Sequence, residues 1–133
     1  MSLTSSANAP SVDVKDMLVA GFPLVFGTDL FVSTIPQNPN NIVCVFDSGG
    51  QGQERYGFEK PNVQIWARNV DYATGYALMR DIKYYLDEAR NGEIWNGTKY
   101  IQIAVRSDIL PLGQDELNRY LWTLNFQIYR SGI

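Results

Sequence analysis

The fold is read most directly from residues 60–90, KPNVQIWARNVDYATGYALMRDIKYYLDEAR. Small apolar side chains alternate with larger polar or aromatic ones over residues 61–68, and this period of two predicts a β-strand with two different faces. Asp71 is then a suitable helix N-cap, and apolar residues recur with a period of about 3.6. Asn91 and Gly92 are typical of a helix end. The inner stripe of the predicted helix contains Gly75, Leu78, Ile82, Tyr85, Leu86 and Ala89, with Met79 at its edge.

The remaining elements can be arranged around this strand and helix. A short helix over residues 12–20, capped by Ser11, precedes two further strands, and two more strands follow the long helix. The Asn96-Gly97 pair predicts a tight hairpin turn just before the fourth strand. The predicted strands cover residues 24–34, 41–47, 61–68, 100–106 and 119–130.

These elements predict a single α+β domain over residues 11–133, which follows a flexible N-terminal arm, residues 1–10. Their order is α-β-β-β-α-β-β. Two amphipathic helices can bury both apolar stripes on the same face of one sheet. We therefore expect a mixed or antiparallel sheet of about five strands with two helices packed on one face.

The other face of the predicted sheet is polar. In the strand over residues 100–106, the apolar side chains of Ile101, Ile103 and Val105 point to one side, so Tyr100 is assigned to the polar face. Such a face suits solvent, a channel or a neighbouring subunit. The polar face is predicted to carry Gln64, Trp66, Arg68, Gln102, Arg106, Asn125 and Gln127.

The composition argues against several kinds of function. The 133 residues carry a net charge of -3, which disfavours a general grip on nucleic-acid phosphates. The chain has no histidine, the commonest general base and transition-metal ligand. No run is apolar enough to span a bilayer, and the N-terminus does not resemble a signal peptide. We expect a protein made in a reducing cytoplasm, with no cofactor, no metal and no membrane contact.

No set of catalytic residues is visible in the sequence. Cys44 is the single cysteine and lies in an apolar strand, so we expect a buried thiol that no histidine activates. Asp87 and Glu88 point about 100° apart on a helix and cannot act together. Asp115 and Glu116 lie in a connection, where a solvated loop is preferred over a cation site. The prediction is that the chain is not an enzyme.

Residues 48–60, SGGQGQERYGFEK, are rich in glycine and predict a mobile loop. The tripeptide Gly49-Gly50-Gln51 matches one that peptide-release factors use, but three residues in such a loop match easily by chance. A flexible loop is therefore the preferred interpretation. We expect it to become ordered against a neighbouring subunit.

Aromatic residues outside the predicted core indicate a protein–protein interface, because aromatic and arginine side chains are enriched at such interfaces. The alternative is that some of them only cover the flanks of the helix. Taken together they favour a subunit of an assembly over a free monomer. The candidate interface residues are Gly49, Gly50, Gln51, Tyr56, Phe58, Trp66, Arg68, Tyr76, Tyr84 and Trp95.

Four segments follow one another in a fixed order between residues 12 and 130. They are FDSGG at residues 46–50, KPNVQI at residues 60–65 with Arg68, DYA at residues 71–73, and LPLGQDE at residues 110–116 followed by Asn125 and Phe126. Together they resemble the phage minor capsid and tail-completion family, which includes the tail terminator proteins of long, non-contractile-tailed phages.

The resemblance implies a virion protein that forms a hexameric ring at the head-proximal end of the tail tube. It implies that the ring stops polymerisation of the major tail tube protein and offers a docking surface to a head-completion or stopper protein. DNA would pass through the lumen without specific binding. The acidic balance of the chain suits this passage, because a negative lumen repels phosphates and lets DNA slide. The family has no catalytic residues.

Two other functions stay open. A head–tail adaptor or neck protein would have a similar size and ring symmetry. A ligand-binding or enzymatic α+β domain would need a deep pocket lined by Cys44 or by Asp115 and Glu116.

The chain departs from the family in one segment. Residues 49–58 form a longer, more glycine-rich stretch than the family leads us to expect, so the resemblance does not define which residues contact the partner here.

Overall fold

The computed structural model describes residues 7–51 and 57–131 of the chain. Most of the predicted N-terminal arm, residues 1–10, lies outside the described residues. The elements are α1 (Pro10–Gly21), β1 (Leu30–Val32), β2 (Ile42–Gln51), β3 (Phe58–Asn69), α2 (Tyr72–Leu86), β4 (Ile94–Trp95), β5 (Thr98–Val105), β6 (Leu110–Gln114) and β7 (Tyr120–Ser131).

The strands form one mixed sheet in the order β1-β2-β3-β7-β5-β4, with β6 also paired to β7. The β1–β2 pair is parallel, and the other named pairs are antiparallel. The α+β class is therefore confirmed, but the expected number of five strands is wrong, because the described residues form seven. The additional strands, β4 and β6, have only two and five residues, too few to give a clear periodic signal.

Both helices pack on the same face of the sheet, as predicted. Alternate side chains of β2, β3 and β7, such as Val43, Ile65 and Leu124, meet the helices in one buried core. The helices contribute Val14, Met17 and Leu18 from α1 and Met79, Ile82 and Leu86 from α2. The opposite face, called here the outer sheet face, consists of the side chains of β2, β3, β5 and β7 that point away from the helices.

Helix α2 begins where predicted but ends early. The Asp71 carboxylate caps it by accepting a hydrogen bond from a backbone N–H of the first turn at 2.9 Å. The helix stops at Leu86, so Ala89, which was predicted for the inner stripe, is exposed. The carboxylate of Asp87 instead accepts a hydrogen bond from the backbone of Val105 at 2.8 Å. Contacts with β5 therefore replace the last turn of the predicted helix.

Helix α2 lies very close to β7 at Gly75. A Cβ atom at this position would come within 2.4 Å of the Trp122 ring. The Trp122 indole is fully buried and fills the space between the helix and the sheet. Gly75 thus belongs to the core stripe because it leaves room for an aromatic ring.

Helix α1 spans more residues than predicted and is not capped by Ser11. It begins at Pro10, and its N-cap, Ala9, makes no side-chain hydrogen bond. Ser11 instead donates from its backbone N–H and its hydroxyl to the two carboxylate oxygens of Asp47, at 2.9 and 2.7 Å. The hydroxyl is therefore used to fasten the start of α1 to β2.

Most of the predicted strand over residues 24–34 is not a strand, and residues 27–29 form a turn. Only Leu30–Val32 forms strand β1. Before it, the Asp29 carboxylate accepts a hydrogen bond from the Val25 backbone at 2.7 Å, and Gly27 adopts a φ of 87°. An aspartate that bonds the backbone four residues earlier closes a turn, so the apolar residues around it do not extend into a strand.

Both ends of the predicted mobile loop, residues 48–60, belong to strands. Strand β2 runs through Gln51 and β3 starts at Phe58, so the ends of this segment pair with each other. Gly50 has a φ of 113°, and a Cβ there would lie 2.4 Å from the carbonyl oxygen of Lys60. The glycine is thus required by a close backbone approach. Residues 52–56 lie outside the described residues.

Strand β5 contains an irregularity that overturns one prediction. Tyr100 pairs with Arg130 and Gln102 pairs with Tyr129, so the register shifts between them. Tyr100 consequently points into the core and is fully buried, and its assignment to the polar face is wrong. A bulge of one residue reverses the inside–outside alternation, which a pattern of period two cannot reveal.

Tyr100 belongs to a buried polar network that joins α1 to the sheet. Its hydroxyl donates to Asp13, and the Asp13 carboxylate also lies 3.4 Å from Nη1 of Arg130. Arg130 donates to Tyr100 Oη at 3.0 Å and to Glu59 at 2.8 Å, while Asn96 donates to Asp13 at 2.6 Å. Burial, followed by the hydrogen bond to Asp13, raises the pKa of Tyr100 well above its usual range, so the phenol keeps its proton.

Candidate interaction surfaces

The centre of the outer sheet face is aromatic. Trp66 lies here, paired with Cys44 on one side and Thr123 on the other. Its indole is half-buried, donates to the Gln64 side chain at 2.7 Å, and stands edge-on to Phe46 with ring centres 6.4 Å apart. The prediction that Trp66 and Gln64 face away from the helices is confirmed. An indole that is half-exposed and fixed by these two contacts is well suited to a protein–protein contact.

Arg68, a second candidate interface residue, is buried against its own subunit. Its guanidinium donates four hydrogen bonds of 2.7 to 3.2 Å to backbone carbonyls of residues 36–40. Arg119 donates to Gln37 in the same loop at 2.6 and 3.0 Å. The two arginines thus close one end of the outer sheet face with this loop, and only 5% of Arg68 is exposed.

The other end of the outer sheet face carries an open pocket of about 330 Å³, called here the basic pocket. Its lining, among the described residues, consists of Lys60, Gln102, Arg106, Gln127 and Tyr129, which include two cations and no carboxylate. Arg106 donates a hydrogen bond to the Gln127 side chain, and the Lys60 ammonium lies over the Tyr129 ring, 5.6 Å from its centre. Such a lining fits a negatively charged partner group.

An aromatic patch lies on the helix side of the molecule, at the start of α2. The Tyr72 ring stacks on that of Tyr76, with ring centres 6.4 Å apart, and stands edge-on to that of Tyr120, with ring centres 5.2 Å apart. The buried Trp122 ring lies behind them. Tyr72 and Tyr76 are 45% and 40% exposed. The exposure of Tyr76 agrees with the sequence prediction, whereas its two aromatic neighbours were not singled out.

The remaining candidate interface residues are scattered. Tyr84 is 69% exposed on α2, and Trp95 packs partly against the core while donating to Glu93 at 2.9 Å. Phe58 is half-buried with its ring 5.5 Å from that of Tyr129, beside the basic pocket. Gly49 and Gly50 are exposed in β2, which also includes Gln51. Tyr56 lies outside the described residues.

The hairpin from β6 to β7 is the surface that sequence reasoning missed. Every residue of β6 is exposed, and β6 lies along the edge of β7. Leu110, Leu112 and Leu117 are 54%, 42% and 60% exposed, an unusual number of bare leucines for one short hairpin. We call residues 110–118 the leucine hairpin. The alternation of Leu110 and Leu112 was a signal for a strand, but Pro111 and Gly113 obscured it.

The turn of the leucine hairpin is internally braced. Asp115 accepts hydrogen bonds from the backbones of Leu117 and Arg119 at 2.9 and 3.0 Å, and from the Arg119 side chain at 2.8 Å. Burial opposes ionisation, but these hydrogen bonds outweigh it and lower the pKa of Asp115. Within residues 7–51 and 57–131, the neighbouring Glu116 carboxylate makes no hydrogen bond or ion pair. It is left at the tip, available to a partner.

Cys44 and the Asp115-Glu116 pair do not share a pocket in the described structure. Cys44 is buried in the sheet, while the acidic pair lines an open groove of about 460 Å³ beside Arg119. No group of three or more metal-ligating side chains occurs in the part of the chain that the structure describes. Neither of its two helices is long and apolar enough to cross a membrane.

Native Cys44 is expected to react with a disulfide reagent such as DTNB roughly a hundredfold more slowly than the denatured chain. Burial raises its pKa to about 11, although nearby Arg68 offsets part of the effect. At pH 8 only about one thiol in a thousand is then ionised. The release of coloured thiolate over time measures this directly. Rapid stoichiometric reaction of the native protein would instead reveal an accessible, activated thiol.

The comparisons with known proteins point in one direction. The family model described as bacteriophage tail terminator protein matches residues 22–130. The fold is similar to that of a chain in the virion of a native gene transfer agent particle, with a TM-score of 0.72 at 16% sequence identity. That alignment covers 93% of this chain and 96% of the other, and at this identity it shows a shared fold. No curated protein matches the chain in sequence.

Proposed function

Because the chain belongs to the bacteriophage tail terminator family, we propose that it ends the growth of the tail tube by forming a ring at the head-proximal end of the tail. Family membership makes it a structural protein of a phage tail. The observation that carries the proposal is the match over residues 22–130, which includes β1 to β6, α2 and nearly all of β7. The matched region is thus the sheet itself together with the surfaces described above.

The exposed surfaces support assembly into a ring, which we propose is hexameric. A ring requires two different surfaces on each subunit, because each copy meets its neighbours head to tail. The chain offers several distinct surfaces: the outer sheet face with Trp66, the aromatic patch with Tyr76, and the leucine hairpin. The ten candidate interface residues predicted from the sequence remain part of this proposal, with Arg68 in a supporting role as the residue that holds residues 36–40.

The proposed partners follow from the position of the ring. One side of the ring would contact the major tail tube protein, and the other would receive a head-completion or stopper protein. DNA would pass through the lumen without specific binding, which the net charge of -3 favours over a tight grip. The protein would be made in the host cytoplasm and end in the virion of a long-tailed, siphovirus-like phage.

Growth of tail tubes in vitro tests the proposal. Purified major tail tube protein is allowed to polymerise with increasing amounts of this chain, and tube lengths are measured by negative-stain electron microscopy. We expect the mean length to fall as the ratio rises, with extra density at one tube end. An unchanged length distribution without end density contradicts termination. Binding to tube ends without any change in length favours the head–tail adaptor function instead.

A further inference from the structure

We propose that the leucine hairpin of one copy docks on the basic pocket of the next copy, with Glu116 as the carboxylate that the pocket receives. The proposal rests on the proposed ring and identifies the two surfaces that would build it. It commits to a second copy of this chain as the occupant of the pocket. The reasons are charge complementarity, apolar complementarity and the positions of the two surfaces in the sheet.

Charge complementarity is the first reason. The basic pocket contains the cations Lys60 and Arg106, and its lining holds no carboxylate within residues 7–51 and 57–131. At the tip of the leucine hairpin, Glu116 has no hydrogen-bonding or ionic partner in the described part of its own chain, whereas its neighbour Asp115 is committed to Arg119. The Glu116 carboxylate can therefore bind a pocket that offers positive charge and amide donors, while Asp115 stays bound to Arg119.

Apolar complementarity is the second reason. Leu112 and Leu117 expose 42% and 60% of their surface on the leucine hairpin. Beside the basic pocket, the rings of Phe58 and Tyr129 lie 5.5 Å apart and are half-buried. Leucine side chains that flank a carboxylate can therefore cover aromatic rings that flank a cationic pocket. An apolar contact around a charged pair also excludes water from the pair, which strengthens it.

Position in the sheet is the third reason. The leucine hairpin joins β7 at Tyr120, and the pocket residues Gln127 and Tyr129 lie near the opposite end of the same strand. Seven residues of strand separate Tyr120 from Gln127, or roughly 23 Å. Because the leucine hairpin and the basic pocket lie near opposite ends of β7, they cannot meet within one subunit. They can meet between neighbours arranged head to tail, which is the contact that closes rings.

Duplex DNA is the other negatively charged partner to consider, but it fits less well. Tight binding to a phosphate backbone requires several cations, because the affinity grows with the number of phosphates that are neutralised. The described lining of the basic pocket offers two, on a chain with a net charge of -3. A single carboxylate matches the number of cations more closely than a polyanion does.

Reciprocal charge reversal tests the contact. The variants are Glu116→Lys and Arg106→Glu, studied singly, mixed in equal amounts, and combined in one chain, and the mass of the assembly is measured by light scattering after size exclusion. Each single variant is expected to need a roughly tenfold or higher concentration to assemble. The equimolar mixture and the double variant are expected to regain assembly, because every interface again joins opposite charges.

Asp81→Lys is the matched control, since it makes the same charge change at an exposed position on α2, away from the outer sheet face. It is expected to assemble like the parent. If the parent forms rings and both single reversals do so equally well, the docking contact is wrong while the proposed ring survives. If the parent stays monomeric at all concentrations and forms no ring on tube ends, both the docking contact and the proposed ring are wrong. Binding of duplex DNA is measured for the same variants by gel retardation. If Arg106→Glu leaves assembly unchanged but abolishes DNA binding by the parent chain, the pocket binds a polyanion and the docking contact is wrong.

Discussion

Replacing Asp13 with alanine is expected to lower the free energy of unfolding by about 3–5 kcal/mol. The Asp13 carboxylate is fully buried and receives hydrogen bonds from Tyr100 and Asn96. It also lies 3.4 Å from the buried Arg130 guanidinium. Without it, a buried phenol loses its acceptor, and Glu59 is the one carboxylate that still pairs with Arg130 in the described part of the chain. Leaving part of a buried network unpaired costs far more than the network contributes when complete.

Urea unfolding followed by circular dichroism measures this loss. Asp13→Asn is the first comparison, because the amide oxygen can still accept a hydrogen bond from Tyr100 while the charge is removed, so we expect a smaller loss. Asp16→Ala is the second. Asp16 also bonds Asn96, at 2.8 Å, but its side chain is one-third exposed, and we expect a loss below about 1 kcal/mol. Equal effects of Asp13→Ala and Asp16→Ala would show that burial does not set the cost.

Replacing Trp122 with alanine is expected to destabilise the protein by about 3–5 kcal/mol. The indole is fully buried and occupies the space that Gly75 leaves between α2 and β7. Neither a glycine on the helix nor an alanine on the strand could fill that space, so a cavity would remain. The aromatic patch would also lose the ring behind it, since Tyr72 lies 5.3 Å from Trp122.

Two variants serve as controls for Trp122→Ala in the same unfolding experiment. Trp122→Phe keeps most of the ring and removes the indole N–H, which is buried without a hydrogen-bond partner in the described structure, so we expect a clearly smaller loss. Trp66→Ala removes a half-buried indole from the outer sheet face, where it should weaken assembly more than folding. A larger loss of folding stability for Trp66→Ala than for Trp122→Ala would contradict the assignment of core and outer faces.

The parts of the fold that could be predicted are those in which local pattern and tertiary packing agree. The alternation at Val63 and Ile65 correctly gave a strand with one buried face, and Asp71 correctly marked the start of α2. The Asn96-Gly97 pair forms the turn between β4 and β5, with φ values of 50° and 80°. In each case the strand, helix start or turn is determined by interactions among a few residues that are neighbours in the sequence.

The parts that could not be predicted depend on residues far apart in the chain. Asp13 meets Tyr100 across 87 residues and Arg130 across 117, so no local pattern could reveal the buried network. Tyr100 turns inward because of a register shift against β7, which the alternation within β5 does not contain. Strand β6 exists only through its pairing with β7. Long-range pairing supplied each of these features.

The candidate interaction surfaces show the same division. Composition correctly indicated exposed aromatic residues such as Tyr76 and Tyr84. Composition could not indicate that Arg68 turns back onto the carbonyls of residues 36–40, or that Leu112 and Leu117 are left bare. A leucine in a sequence is more often buried than exposed, so only the position of β6 at the sheet edge identifies this surface.

Electron microscopy of a lysate in which this gene is silenced tests the central claim most directly. Termination of the tail tube predicts filled heads beside abnormally long tubes that carry no head, because tube growth would lack its stop and the head its docking surface. Tails of normal length that fail to join heads would contradict termination and favour an adaptor. Intact, infectious particles would contradict any required role in the tail.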